Sequence, residues 1–402
     1  MKLYAQDGYQ PSDKLARGLR EEFIQGVILS ARYIHPNQCA RRIAELREIA
    51  PSADILVDPE FYAARMIGTP NCSLRHLEEW PYFRSYRRNE LVGQQDVIDG
   101  YLRDTISAIY EMNPTAVICP SVYISTSFDS FEAAATLAFA QRCRPMASEL
   151  GVACPIYATM AIHHRAFERL QELKDYLDSL SRLRIRPDGF YLIVGGGTVD
   201  ETAGIARSDL LNPSVLAGWM LMNYVLRQNG FSVINGFSDL NSPLLAAASC
   251  NGCSTGWWTT LQTFTMSRYL KQPGRGGAQP LTRYLSCALL ARPKRQDYEA
   301  FRRVVPEIRN DLRSDEWFDR SLNAITRTEE ALQAWEGISH LCTLMSEDVS
   351  ANLQEIRRQV DRSRQTQSRL AAAGFTEDQE AHAEYLNCIE QAVDMFYLHA
   401  EL

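Results

Sequence analysis

The chain of 402 residues lacks any apolar run approaching the roughly 18 residues of a membrane-spanning helix. Membrane integration through helices is therefore not expected. It also lacks an excess of positive charge. Its 42 Lys and Arg stand against 49 Asp and Glu, for a net charge of −7, which excludes a uniformly basic nucleic-acid coat and leaves only local patches to consider. There is no internal repeat and no low-complexity tract, so a solenoid or a disordered tail is not expected. The opening stretch MKLYAQDGYQ is too poor in apolar residues for a signal peptide. The ten cysteines form no disulfide-type framework, and several, such as Cys119 and Cys154, lie inside apolar runs. That is the usage of buried thiols in a reducing compartment, so a cytoplasmic protein is expected.

What is present is an alternation. Short apolar runs occupy residues 2–5, 26–34, 53–61, 115–124, 154–162, 189–197, 231–239 and, more weakly, 252–260, and most are followed by a helical pattern. Strands alternating with helices imply a parallel sheet, and eight such units imply closure. The expected fold is α/β, a (βα)8 TIM-type barrel over residues 1–262, with a long loop at about 62–95. Residues 263–402 read as a basic loop followed by a C-terminal helical extension. These helices are expected to cover the barrel, or to contact another copy of the chain or a protein partner.

The stretch GFYLIVGGGTVDET at 189–202 ends an apolar run in three glycines. A dinucleotide-binding turn needs G-x-G-x-x-G opening a helix in the first unit of a fold. Here no third glycine stands at the required position, and the unit is the sixth. Thr198 and Glu201 also fit a helix-capping box.

Barrel chemistry lies at the carboxyl ends of the strands. That rule selects Gln6, Asp7, Ser30, Arg32, Asp58, Glu60, Ser121, Tyr123, His163, His164, Gly195 to Thr198, Asn235, Asp239, Trp257 and Trp258. Asp58 is the leading catalytic candidate. It ends the run ADILVD, where half-shielding by the barrel wall would tune a carboxyl for acid–base or nucleophilic work. Asp239 is second, since no capping role explains it. Gly195, Gly196 and Gly197 would let a base or phosphate approach the backbone. His163 and His164 are adjacent on a strand and point to opposite sides, and Cys250 and Cys253 form a single C-x-x-C pair. Neither makes a metal site, and no motif calls for a cofactor.

Two stretches combine arginine with aromatics. Arg84, Arg87 and Arg88 alternate with Trp80, Tyr82, Phe83 and Tyr86. Trp257 opens a second stretch containing Arg268, Arg275, Arg283, Arg292 and Arg295. Arginines contact phosphates and aromatics stack on bases, so Arg32, Arg84, Arg87, Arg88 and Arg275, with Tyr86 or Trp257, are the expected substrate-binding set. The expected partner is nucleic acid or a phosphorylated nucleotide. The competing reading is an ordinary lid whose aromatics pack on the rim.

The segments GFYLIVGGGTVDE, ILVDPEFY and VINGFSDLNSPLLAAASCNGC occur in an order that resembles tRNA-guanine transglycosylases and their DNA-modifying relatives, over about residues 53–258. That resemblance implies a (βα)8 barrel and base exchange or release at an N-glycosidic bond. Asp58 would stand at an acid–base or base-recognition aspartate, and Gly196 and Gly197 at the base-binding turn. The family's Cys-x-Cys-x-x-Cys zinc motif and the carboxylate after its last strand are not in this chain. Two other functions remain open: a lyase or isomerase of a small phosphorylated metabolite, and a non-catalytic barrel whose helical tail binds a partner.

Overall fold

The computed structural model describes residues 1–8, 13–91, 94–196, 211–271, 281–320, 324–375 and 379–402. Its strands are β1 (Lys2–Gln6), β2 (Gly26–Ser30), β3 (Asp54–Asp58), β4 (Val117–Ile118), β5 (Tyr123–Ile124), β6 (Ile156–His163), β7 (Gly189–Gly195), β8 (Ser232–Gly236) and β9 (Gly252–Thr255). All pairs are parallel, in the order β3-β2-β1-β9-β8-β7-β6-β4, with β5 also on β6. β4 and β5 are two pieces of one stave. Pro120 lies between them, and proline has no N–H to give to a ladder. The eight staves close through Thr115, whose N–H donates to the Ile55 carbonyl at 2.9 Å. The fold is thus the TIM-type barrel expected from the alternation. Strands such as GVILS are buried at every residue, because a barrel packs side chains on both faces of the sheet.

The helices that follow the strands are α1 (Lys14–Arg20), α2 (Pro36–Ile49), α3 (Gln95–Tyr110), α4 (Phe131–Glu149), α5 (Leu170–Ser181), α6 (Pro213–Gln228) and α7 (Ser242–Ala247). Each turns an apolar stripe inward. On α2 the buried residues are Cys39, Ile43 and Leu46, spaced for one helical face. Ser130 caps α4, accepting from the Ala133 N–H at 3.2 Å. Among the described residues, no helix is long and apolar enough to cross a membrane.

Beyond the barrel come α8 (Thr259–Gln262), α9 (Arg295–Val304), α10 (Asp315–Phe318), α11 (Arg327–Thr343), α12 (Val349–Ala372) and α13 (Gln379–His399). These helices are continuous with the barrel core. Phe396 of α13 meets Tyr224 of α6 edge-on at 5.7 Å. Trp335 of α11 lies against α1 so closely that a Cβ on Gly18 would sit 2.7 Å from its ring. A second, smaller core gathers Tyr284, Tyr298 and Phe318, with the two tyrosine rings stacked at 3.9 Å.

One buried ion pair ties the extension to the barrel. Asp239, after β8, has φ of +43°. Its Oδ1 accepts from Arg292 Nη2 at 2.8 Å and from the Thr255 hydroxyl, and both charged side chains are buried. Removing one partner of a buried pair strands the other charge. Arg292→Met is expected to cost about 3–5 kcal/mol in urea unfolding, and adding Asp239→Asn should recover part of that loss. A loss below about 1 kcal/mol would show the pair to be solvated.

Candidate active site

At the carboxyl ends of the strands the barrel interior turns polar. Gln6 of β1, Asp58 of β3, Tyr191 of β7 and Ser254 of β9 are all buried. Asp58 Oδ1 accepts from the Glu60 N–H at 2.9 Å. Its Oδ2 accepts from the Tyr62 hydroxyl at 2.9 Å and the Tyr191 hydroxyl at 3.2 Å. Tyr191 reaches across the barrel because Gly236 leaves room: a Cβ there would lie 2.7 Å from the phenol oxygen.

Glu60 is fully buried beside Asp58. A left-handed backbone, with φ of +48°, turns it back toward the barrel. Its carboxylate accepts from the Ser30 and Tyr269 hydroxyls. Burial, and then the charge of Glu60, push Asp58 up to about 7; the hydrogen bonds from Glu60 N–H, Tyr62 and Tyr191 pull the other way. Burial and the neighbouring carboxylates hold the phenols of Tyr62, Tyr191 and Tyr269 well above their ordinary range, so they act as fixed donors.

The chain covers this layer with its own residues. The segment after α8 returns over the mouth, where the Gly196 N–H donates to the Phe264 carbonyl at 3.1 Å. A Cβ on Gly195 would lie 2.1 Å from that carbonyl oxygen, so only glycine permits the approach. Phe264 is buried among Tyr62, Phe237 and Tyr123, with ring centroids at 5.4, 5.6 and 6.0 Å. The turn Met266–Tyr269 continues the cover and buries Arg268. Burial opposes the charge on Arg268, and Glu60 together with Tyr269, Tyr33 and Tyr62 more than offsets it.

The residues selected from sequence divide accordingly. Arg32 is at the site: it is 4% exposed, donates to the Ser73 carbonyl at 2.9 Å and the Tyr33 hydroxyl at 2.8 Å, and lies over Tyr269. Gly195 and Gly196 are at the mouth too, but they receive the chain's own backbone. Gly197, Arg275, Thr198 and Glu201 lie outside the described residues. Arg84, Arg87 and Arg88 are exposed and paired with Asp104, Glu90 and Glu132. Tyr86 stacks on Phe61 at 6.1 Å, while Trp80 and Tyr82 are buried and donate to the carbonyls of Ala31 and Pro59. Trp257 meets Trp335 edge-on at 6.3 Å, at the joint with the extension. Asp239 is held by Arg292. His163 accepts from the Arg165 N–H and lies against His164, with ring centroids at 4.4 Å. Among the described residues, no group of three His, Cys, Asp or Glu is placed to hold a metal ion.

The sequence reading did not find the tyrosines. Strand parity was a usable signal for Tyr191, which lies on the inward face of its run. Tyr62 and Tyr269 gave none, since one lies in a turn and the other returns from 211 residues away from Asp58.

No family model matches the chain, and no curated protein matches it. Three solved structures are similar at low identity. A glycosyl hydrolase of the GH3 family from Mycobacterium smegmatis has TM-score 0.39 and 13% identity, covering 66% of this chain and 84% of its own. A fungal multi-domain GH3 beta-N-acetylglucosaminidase has TM-score 0.40 and 12% identity, covering 91% of this chain and 42% of its own. The M. tuberculosis protein LpqI has TM-score 0.39 and 13% identity, covering 83% of this chain and 91% of its own. At these scores the likeness carries no argument about chemistry.

The state of Asp58 has a measurable effect on stability. Its folded pKa, about 7, lies above its unfolded value, so the folded chain holds the extra proton between the two. Stability should therefore fall as pH rises from about 4 to the folded value, by up to about 1.4 kcal/mol per pH unit. Asp58→Asn should remove that slope from denaturation midpoints measured across pH. Identical slopes in both proteins would place Asp58 at an ordinary carboxylate value.

Proposed function

We propose that this chain is an enzyme that breaks a glycosidic bond, with Asp58 as the proton donor. The observation that supports this most is the Asp58 carboxyl itself, buried at the mouth of a barrel and pushed up to about 7 by desolvation and by Glu60. A general acid works best with a pKa near the working pH. Two carboxyl groups in unequal environments divide the labour, as glycoside cleavage requires. Asp58 gives its proton to the leaving heteroatom as the C1–heteroatom bond breaks with its electron pair. The charge of Glu60 stabilises the developing positive charge at C1. Water then adds to C1, and its proton returns to Asp58.

A nucleoside or nucleotide fits this reading better than a polynucleotide. The arginines of the long loop are already paired with acidic neighbours, and Phe264 narrows the mouth. Substrate entry would require residues 263–271 to move aside, as closing loops do in many enzymes. The burial of Phe264 also favours a non-catalytic barrel.

The two readings part in a direct assay. Purified protein is incubated with nucleosides, nucleotides and aryl glycosides, and release of the base or aglycone is followed. Asp58→Asn should lower kcat about 100-fold or more, with KM changed only a few fold. The wild-type rate should decline as pH rises through about 7, as the acid loses its proton. Phe264→Ala, which widens the mouth, should raise kcat/KM on bulkier substrates. Wild-type rates in Asp58→Asn, or no release from any substrate class by either wild type or Phe264→Ala, would contradict the proposal.

A further inference from the structure

Arg268 is 5% exposed, yet none of its guanidinium nitrogens, Nε, Nη1 or Nη2, has a hydrogen-bond partner. Among the described residues it is the buried arginine with all three nitrogens in that condition; Arg292 and Arg295 keep bonds to Asp239 and Phe318. A buried guanidinium carries five N–H donors, and leaving them unused is unfavourable. Native interiors tolerate such a group only for a reason, and a bound anion is one.

The surroundings are those of an oxyanion site. The guanidinium carbon lies 4.8 Å from the Phe237 ring centroid, 5.8 Å from Tyr269 and 6.0 Å from Tyr33. Contacts with ring faces consume no N–H donor. Arg32 lies over the same Tyr33 and Tyr269 rings, at 5.0 and 5.1 Å, and spends its donors on neutral acceptors, the Ser73 carbonyl and the Tyr33 hydroxyl. Arg268 lies in the field of the Glu60 carboxylate, whose oxygens are already supplied by Ser30 and Tyr269. Asp58 adds little negative charge while it keeps its proton. The Arg268 donors stay unused in a buried region, where an unsatisfied charged group is far from neutral in energy.

We infer that Arg268 is the recognition group of an oxyanion site, taking a phosphate group in its singly charged form, with Arg32 supplying the second positive charge. Guanidinium matches phosphate geometry, with two N–H groups aimed at two oxygens. The anion reaches the site when the turn Met266–Tyr269 lifts. The inference deepens the glycosidase reading by making its substrate, or a co-bound ligand, a phosphate-bearing molecule, and it is tested without any turnover.

The test is calorimetric titration of the full chain with inorganic phosphate at constant ionic strength. One phosphate per chain is expected. Arg268→Met should weaken binding about tenfold or more, as loss of charged hydrogen bonds does. Arg268→Lys keeps the charge and most of the packing; it should bind more weakly than wild type, so a misfolded Met variant does not decide the matter. At a pH of about 5, where burial still holds the proton on Asp58, Glu60→Gln removes the competing negative charge and should tighten binding several fold. The two claims separate in the wild-type chain, because phosphate binding there with no glycosidic activity leaves the site standing and removes the glycosidase reading. A nucleoside monophosphate that competes with phosphate assigns the anion to the substrate, and one that binds alongside it assigns the site to free phosphate. No binding to the wild-type chain, or equal binding by wild type, Arg268→Lys and Glu60→Gln, would overturn the inference.

Discussion

A carboxylate moved from water into a protein interior is destabilised by several kcal/mol unless hydrogen bonds and opposite charge compensate. Asp58 and Glu60 stand beside each other at the end of β3 with no solvent exposure. Much of the barrel mouth is arranged around that constraint. Tyr62, Tyr191, Tyr269 and Ser30 each aim a hydroxyl at one of the two groups. Arg268 brings positive charge to Glu60, and Arg32 lies over the Tyr269 ring. The compensation is unequal, so burial first and the charge of Glu60 second leave Asp58 as the carboxyl that keeps its proton near neutrality. Both the proposed chemistry and the oxyanion site depend on that inequality.

The C-terminal extension completes the barrel as well as adding to it. Its basic segment contributes Phe264, Arg268 and Tyr269 to the mouth, and Arg292 to Asp239. Its helices bury Trp335 and Phe396 against the barrel's outer layer. The same segment that shields the carboxyl pair raises Asp58, since desolvation is the largest cause of the shift. Cover and acidity are thus one physical effect, and a movement that opens the mouth would also lower the acid's pKa.

The barrel was legible because its signal is local. Each of the eight apolar runs contains or overlaps a stave, and the length of the alternation implied closure. Asp58 was legible for the same reason: it ends an apolar run, and strand ends carry barrel chemistry. Contacts between distant segments left no such mark. Asp239 had no local role in the sequence because its partner, Arg292, lies 53 residues further on. The glycines after β7 read as an opening for a ligand, whereas Gly195 and Gly196 receive the backbone of Phe264. The loop arginines read as a phosphate-binding set, but Asp104 and Glu132 reach Arg84 and Arg88 only once α3 and α4 are packed. The loop aromatics followed the plainer alternative, with Trp80 and Tyr82 packed on the rim. The transglycosylase resemblance rested on short glycine-rich segments, and what the structure supports of it is the barrel.

The central claim is that Asp58 keeps its proton close to neutral pH inside the folded barrel. The most direct measurement is the carboxyl-carbon chemical shift of Asp58 in isotopically labelled protein, assigned with Asp58→Asn and followed across pH. A midpoint at about 7, moving down in Glu60→Gln as the neighbouring charge is removed, is the predicted result. A midpoint at about 4, the ordinary aspartate value, unchanged by Glu60→Gln, would contradict the account.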